Sequence, residues 1–342
     1  MSKATNRQFR VALIGTDSLR GQEIKNLLGA GKFPLKSIEF YDPDVAEEYS
    51  KLTEFQDEPK VIHHPDPYLL EGLDLVFLAA DRTTNRKFGL LAKDKGFRAI
   101  DLAESFSADP DIPLIVAGVN DELLREKGVF LVANPHPVTI FLSHVFWAIL
   151  SLSPIKKSVA MILQPVSAFE NAGIEELAEQ SYALLSSLSI NKKVFREQIA
   201  FNFLPGVEKP ERDGFSNKEK QILQEMRKVL NKQVFPFSLS MVQAPVFHVY
   251  SLMIYIELSG EVELAELEKV FKKKSIFNFL PAASAEQISN VKVAGKEQIF
   301  IGHLKKDEAI PGSFWLWVAA DNLTVGSAIN ALKIARKMLG PD

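Results

Sequence analysis

The amino end constrains the fold most, because Phe-Arg-Val-Ala-Leu-Ile at residues 9–14 runs directly into Gly15-Thr-Asp-Ser-Leu-Arg-Gly21. The apolar run has the length of a strand, and the glycines bracket a turn. Helical spacing follows through Ile24, Leu27 and Leu28, so the segment predicts a strand, a glycine turn and a helix. Further strands are expected at Ser37–Tyr41, Leu73–Ala79, Ala99–Leu102 and Phe130–Ala133, with helices near Thr84–Lys95 and Asp121–Glu126. Strands alternating with helices predict an α/β fold, a Rossmann-like doubly wound parallel sheet.

Beyond Pro154 the pattern changes to strands at Lys157–Leu163, Ser238–Ala244 and Val249–Leu258 and helices at Gly173–Leu188 and Lys218–Leu230. This mixture predicts an α+β second domain with an antiparallel or mixed sheet. A final helix, Val325–Leu339, is expected to return to the first domain, giving 1–135 with 320–342 and 136–319 as the division. His248 and Tyr250 are expected on one face of a strand, and Trp315 and Trp317, alternating with Leu316 and Val318, in a strand core.

With 342 residues the chain is long enough for two domains with real cores. A net charge of −3 offers no basic footprint for nucleic acid and no polybasic anchor for a membrane. The polar start, Met1–Arg10, reads as lacking a secretory leader. The apolar stretch Ile140–Leu152 is too short to span a bilayer, so a cytoplasmic protein is expected. There is no cysteine, which excludes disulfides, thiolate metal sites and thiol nucleophiles together. The adjacent His63 and His64 fall in what reads as a loop without ligand spacing, and no metal site is expected.

A dinucleotide turn needs glycine where backbone approaches phosphate and where the helix packs on the strand. Gly15 and Gly21 satisfy the outer positions, but the middle one is Ser18, and an ordinary strand-to-helix turn reads equally well. Asp42 follows the second strand where an acidic group would meet a ribose 2′-hydroxyl. With Asp44, Glu47 and Glu48 it would repel a 2′-phosphate; a solvated acidic loop reads equally well. NADP is therefore disfavoured, and NAD is the cofactor expected if one binds.

Several long stretches in order resemble the aspartate-semialdehyde dehydrogenase family. They are Asn120 in DPDIPLIVAGVN, Ala133-Asn-Pro135, Gln164 and Ser167 in QPVS, AGIEELAEQ from Ala172, QIAFNFLP from Gln198, PVF from Pro245, and ADNLTVGSAINA from Ala320, which contains Asn322. The resemblance covers nearly the whole chain. It implies a nucleotide domain, a dimerising substrate-type domain, and reduction of an acyl phosphate by NADPH through a cysteine thioester.

The family's Asn-Pro-Asn-Cys-Ser-Thr motif corresponds to Asn134-Pro135-His136-Pro137-Val138-Thr139, which puts Pro137 at the nucleophile. Proline has neither a nucleophilic atom nor a backbone N–H, but it suits the first turn of a helix. By the same resemblance Tyr250 stands for the acid/base histidine, Gln243 for the substrate-carboxylate arginine, Ser107 for a phosphate-binding arginine and Gln221 for a phosphate-binding lysine. Ala168 and Phe169 replace glycines on the nicotinamide side. Tyrosine titrates near 10, and glutamine cannot form a charged bidentate pair. No catalytic set reads as intact, although His136 stands beside the lost nucleophile either as a base or as a capping residue.

Three readings follow. The chain is a catalytically inactive relative retained for assembly or regulation, as a homodimer or with an active paralogue. Alternatively it is an NAD-linked oxidoreductase working without a thioester, or a small-molecule sensor.

Overall fold

The computed structural model describes residues 7–46, 51–126, 128–206 and 210–340. They fall into two compact units, one within Met1–His136 and Ser327–Asp342, the other within Pro137–Gly326.

The first unit holds a seven-stranded sheet: β1 (Phe9–Ile14), β2 (Leu35–Tyr41), β3 (Lys51–Phe55), β4 (Glu58–His63), β5 (Leu75–Leu78), β6 (Arg98–Asp101) and β7 (Leu131–Ala133). Their spatial order is β3-β4-β2-β1-β5-β6-β7, parallel except for the β3–β4 hairpin. The chain leaves β1 toward β2 on one side and reaches β5 on the other, so the turn at Gly15 sits at the reversal of strand order. Helix α1 (Leu19–Gly29) directs Ile24 and Leu28 against Val11, Leu13 and Phe77 of the sheet. Helices α2 (Arg82–Gly89) and α3 (Ala92–Lys95) divide what reads in the sequence as one helix.

The carboxyl-terminal helix Ile329–Leu339 joins this core through Ala331, Leu332, Ile334 and Ala335. Asn330 ties it down: its Oδ1 accepts the Ala117 amide at 2.8 Å, and its Nδ2 donates to Ile115 O at 2.9 Å and Asn134 Oδ1 at 2.7 Å.

The segment around His63 corrects the sequence reading. His63 ends β4, and only His64 lies beyond it, with Nδ1 2.8 Å from Val45 O. Polar residues on an edge hairpin leave little apolar periodicity to detect. Among the described residues no group of three potential ligands could hold a metal, and no helix is long and apolar enough to cross a membrane.

The second unit opens with α4 (Pro137–Leu150). Its sheet is mixed, in the order β12 (Phe277–Phe279), β13 (Ile299–Lys306), β14 (Ser313–Ala320), β11 (Tyr250–Leu258), β8 (Ile155–Gln164), β10 (Phe237–Gln243) and β9 (Leu204–Pro205). Its other helices are α5 (Glu170–Leu185), α6 (Asn217–Leu230), α7 (Leu264–Lys273) and α8 (Asn290–Val293). Helix α7 and strand β13 are absent from the sequence reading.

Two strand expectations are also corrected. On β14 the buried large side chains are Phe314, Leu316 and Val318, while Trp315 and Trp317 lie half-buried on the opposite face, where Trp317 packs against the small buried cluster of Val249, Val293 and Ala319. Period two identifies the alternation but not which side the helices cover. His248 is not on the same strand face as Tyr250, because Val249 has φ 77° and the strand begins only at Tyr250.

Candidate functional site

Each unit holds part of the nominated set. In the first, Gly15 has φ 90°, and a Cβ on it would stand 2.3 Å from the Ala80 amide nitrogen. A Cβ on Gly21 would stand 2.0 Å from Gly15 O. Close chain packing therefore demands both glycines, whatever the turn binds. Ser18 caps α1: its hydroxyl donates to Gly15 O at 2.9 Å and accepts the Gly21 amide at 3.0 Å.

Asp42 is buried and accepts the amides of Asp17 at 3.0 Å and Asp44 at 3.1 Å. Burial raises its pKa, and the two amides oppose the shift. Glu47 and Glu48 lie outside the described residues. Sequence reading missed Lys51, whose ammonium is 2.7 Å from the Asp17 carboxylate. That bond raises the lysine's pKa, with weaker contributions from Asp42 and Asp44, so the acidic turn carries its own cation. A lysine 34 residues from Asp17 along the chain gives no sequence signal of this contact.

At the carboxyl ends of β5 and β6 lies a buried network centred on Asp101. Its Oδ1 accepts Asn85 Nδ2 at 3.0 Å and the Ala103 amide at 3.1 Å, and its Oδ2 accepts the Phe106 amide at 3.0 Å. Asn85 also reaches Leu78 O and Ser105 Oγ, and accepts the Ala80 amide. Burial pushes the Asp101 pKa upward against these bonds. Ser107 is buried nearby in sequence and donates to Glu104 O at 3.2 Å. His136 is buried as well.

In the second unit Pro137 is the first residue of α4 and is buried. The missing N–H costs nothing there, since the first amides of a helix have no partner within it. Gly326 closes over this helix start: a Cβ on it would come 2.8 Å from Pro137 Cβ and 2.7 Å from the Phe141 ring. One turn along, Thr139 Oγ1 donates to the buried Glu225 carboxylate at 2.6 Å, and Gln221 Nε2 donates to its other oxygen at 2.8 Å.

The sheet then sets Gln164, Gln243 and Tyr250 together. Gln164 and Gln243 are register partners on the parallel strands β8 and β10, while Tyr250 opens β11 beside β8. Gln164 Nε2 donates to Gln243 Oε1 at 3.0 Å, and the Tyr250 hydroxyl donates to Gln164 Oε1 at 3.1 Å. Gln243 Nε2 is occupied by Gln164 O at 3.0 Å and Ala244 O at 3.1 Å. All three are buried, with Gln243 fully so. A cluster of two amides and a phenol, bonded to one another and to two backbone carbonyls, holds no cation.

Ser167 and Asn322 are both buried and share a hydrogen bond, Asn322 Nδ2 to Ser167 Oγ at 3.2 Å. Asn322 Oδ1 also accepts the Val249 amide at 3.3 Å. The Phe169 ring packs edge-on against Phe195 with centroids 5.1 Å apart, as part of a small apolar cluster.

Comparison with known proteins agrees with this architecture. Residues 10–127 match the family model described as semialdehyde dehydrogenase, NAD binding domain, and residues 149–325 match the semialdehyde dehydrogenase, dimerisation domain. Aspartate-semialdehyde dehydrogenases of Rickettsia bellii and Aquifex aeolicus are each 27% identical, over 97% of this chain and 98% of theirs. The solved aspartate semialdehyde dehydrogenase II of Vibrio cholerae, complexed with ASA, superposes with a TM-score of 0.91 at 25% identity, over 97% of this chain and 98% of that one. The probable aspartate-semialdehyde dehydrogenase of Pseudomonas aeruginosa gives 0.91 and 25%, over 98% and 99%. Two domain models in series and relatives matched from end to end on the same fold leave a single placement: the chain belongs to the aspartate-semialdehyde dehydrogenase family.

Proposed function

We propose that this protein keeps the fold and paired assembly of its family and does not carry out the thioester reaction. The observation that carries the reading is the closed cluster Gln164–Gln243–Tyr250 in the same unit as Pro137. A substrate carboxylate would have to displace the two carbonyls that hold the Gln243 amide, and would gain no charge in exchange. Proline supplies no nucleophile, and no described residue replaces the thiol at the head of α4.

The dimer rests on a different feature. Val159 and Met161 on β8, Met253 and Tyr255 on β11, and Trp315 and Trp317 on β14 are aligned by register on one sheet face. Val159 and Met161 are 49% and 54% exposed, while their strand neighbours Ser158, Ala160 and Ile162 are buried. An aromatic and aliphatic sheet face of this kind is suited to a second copy of the chain. A heteromer with an active paralogue would use the same face.

The glycine turn fits a dinucleotide poorly. Ser18 takes the Gly21 amide that a phosphate would meet, and Asp42 spends its oxygens on backbone amides. NADP remains disfavoured, although Lys51 weakens the acidic contribution to that preference. NAD is the better candidate if either binds.

The test uses protein made in a host lacking its own aspartate-semialdehyde dehydrogenase. Phosphate-dependent oxidation of aspartate semialdehyde should be absent from the wild type and from Pro137→Cys, and wild-type turnover would overturn the reading. NAD-dependent turnover of another semialdehyde would favour the oxidoreductase alternative, and ligand-dependent stabilisation without turnover the sensor. Light scattering should give twice the mass of the 342-residue chain. Trp317→Glu should halve that mass by placing a charge on the apolar face.

A further inference from the structure

Within the second unit, away from the Gln164 cluster, α6 and the start of β10 enclose a half-open cavity of about 610 Å³ against β8. Its volume falls within the range of small-molecule sites. Met226, Leu230, Phe235 and Phe237 form an apolar lining, and the rings of Phe235 and Phe237 are held edge-on to Phe146 of α4 with centroids 5.0 and 5.3 Å away. The wall is thus rigid rather than a loose surface depression.

The charges are one-sided. Arg227 and Lys157 both line the cavity, and no carboxylate does. Lys157 already pairs with Glu257 at 2.9 Å, whereas the Arg227 guanidinium has no anionic partner among the described residues. Arg227 stands in the last turn of α6, where a cation favours the helix dipole. That explains a positive charge at this position, but not an apolar cavity beside it.

We propose that this cavity binds a small amphipathic anion, an aryl or medium-chain alkyl carboxylate, with its apolar body among Met226, Leu230, Phe235 and Phe237 and its carboxylate on Arg227. A guanidinium offers a planar pair of donors that matches a carboxylate, and the lining excludes water from the tail. Val159, at the rim of the sheet face proposed to meet a second copy, also lines the cavity, so a second copy is the competing occupant; the Arg227 guanidinium, which lacks a carboxylate partner among the described residues, favours the small anion. The site is independent of whether the family reaction is lost.

The probes are decanoate and decanol, below their aggregation limits, titrated calorimetrically into the full-length protein. One decanoate per chain should bind, about tenfold or more tighter than decanol, the equivalent of one charged contact. Arg227→Gln should weaken decanoate about tenfold and leave decanol unchanged. Leu230→Trp should fill the cavity and abolish both. Equal binding of acid and alcohol, or an Arg227→Gln variant that binds decanoate as the wild type does, would overturn the proposal. So would an Arg227→Gln variant that loses self-association while retaining decanoate, because the groove would then belong to the second copy. Arg227 is exposed, so its variant decides the matter even if Leu230→Trp fails to fold.

Discussion

Two buried polar clusters, one in each unit, differ in what they hold. In the first unit Asp101, Asn85 and Asn330 bond mainly to backbone, at Ala103, Phe106, Leu78, Ala80, Ile115 and Ala117. In the second, Gln164, Gln243 and Tyr250 bond to one another at the ends of strands already fixed by ladders. A cluster that holds loops is altered only at a large cost in stability. One whose side chains bond to one another and to carbonyls of strands already paired can be rewritten with less structural consequence, which makes it the place where chemistry is readily lost.

The largest expected effect tests that contrast. Asp101→Ala leaves the Ala103 and Phe106 amides without their acceptor and removes one of three acceptors of Asn85 Nδ2, and should cost about 3–5 kcal/mol in urea unfolding. Gln243→Leu should cost only about 1–2 kcal/mol, since Gln164 O still accepts the Ala244 amide. Equal costs would erase the distinction between the clusters.

Backbone strain sharpens the comparison within the second unit. Val249 is β-branched, fully buried and at φ 77°. Such a conformation stores about 1–3 kcal/mol, which glycine would release while losing the side chain's burial. Val249→Gly should therefore cost about 1 kcal/mol or less, against about 3 kcal/mol for Val318→Gly at an equally buried, extended position. Similar melting losses for the two would remove the case for strain beside Tyr250.

A smaller effect is carried by pH. The Asp101 pKa is raised in the folded protein, so its contribution is complete below the ordinary carboxylate value and declines as pH rises through the folded value. Wild-type stability measured against Asp101→Asn should accordingly fall from about pH 4 upward. A difference that grows with pH would mean the amide bonds outweigh burial. Gln243→Leu should show no such slope, because the change removes an amide and no ionisable group.

The smallest effect belongs to the glycine turn. Ser18→Gly should cost about 0.5 kcal/mol, as glycine is itself a tolerable helix cap. It also frees the Gly21 amide, so NAD affinity should rise by calorimetry. Unchanged affinity would show that Ser18 is not what limits the turn.

The first strand and glycine turn were legible because a short apolar run followed by fixed glycines is local, and so were the helices carrying amphipathic spacing. Strand β13 and helix α7 were not, since Lys, His and Gly interrupt one and a short, heavily charged segment makes the other. Of the site, the identities at positions 137, 243 and 250 could be read along the chain. Their bonding could not.

Composition and order by themselves determined that no thiol exists and that an NAD-binding-type unit comes first. Tertiary structure alone decided that Gln243 faces Gln164, 79 positions away, that Lys51 sits on Asp17, and that Trp315 and Trp317 lie half-buried on the face opposite Leu316 and Val318. The reason is physical. Backbone preference and side-chain period act over a few residues, whereas a partner across a sheet is set by register, and the buried face by where the helices pack.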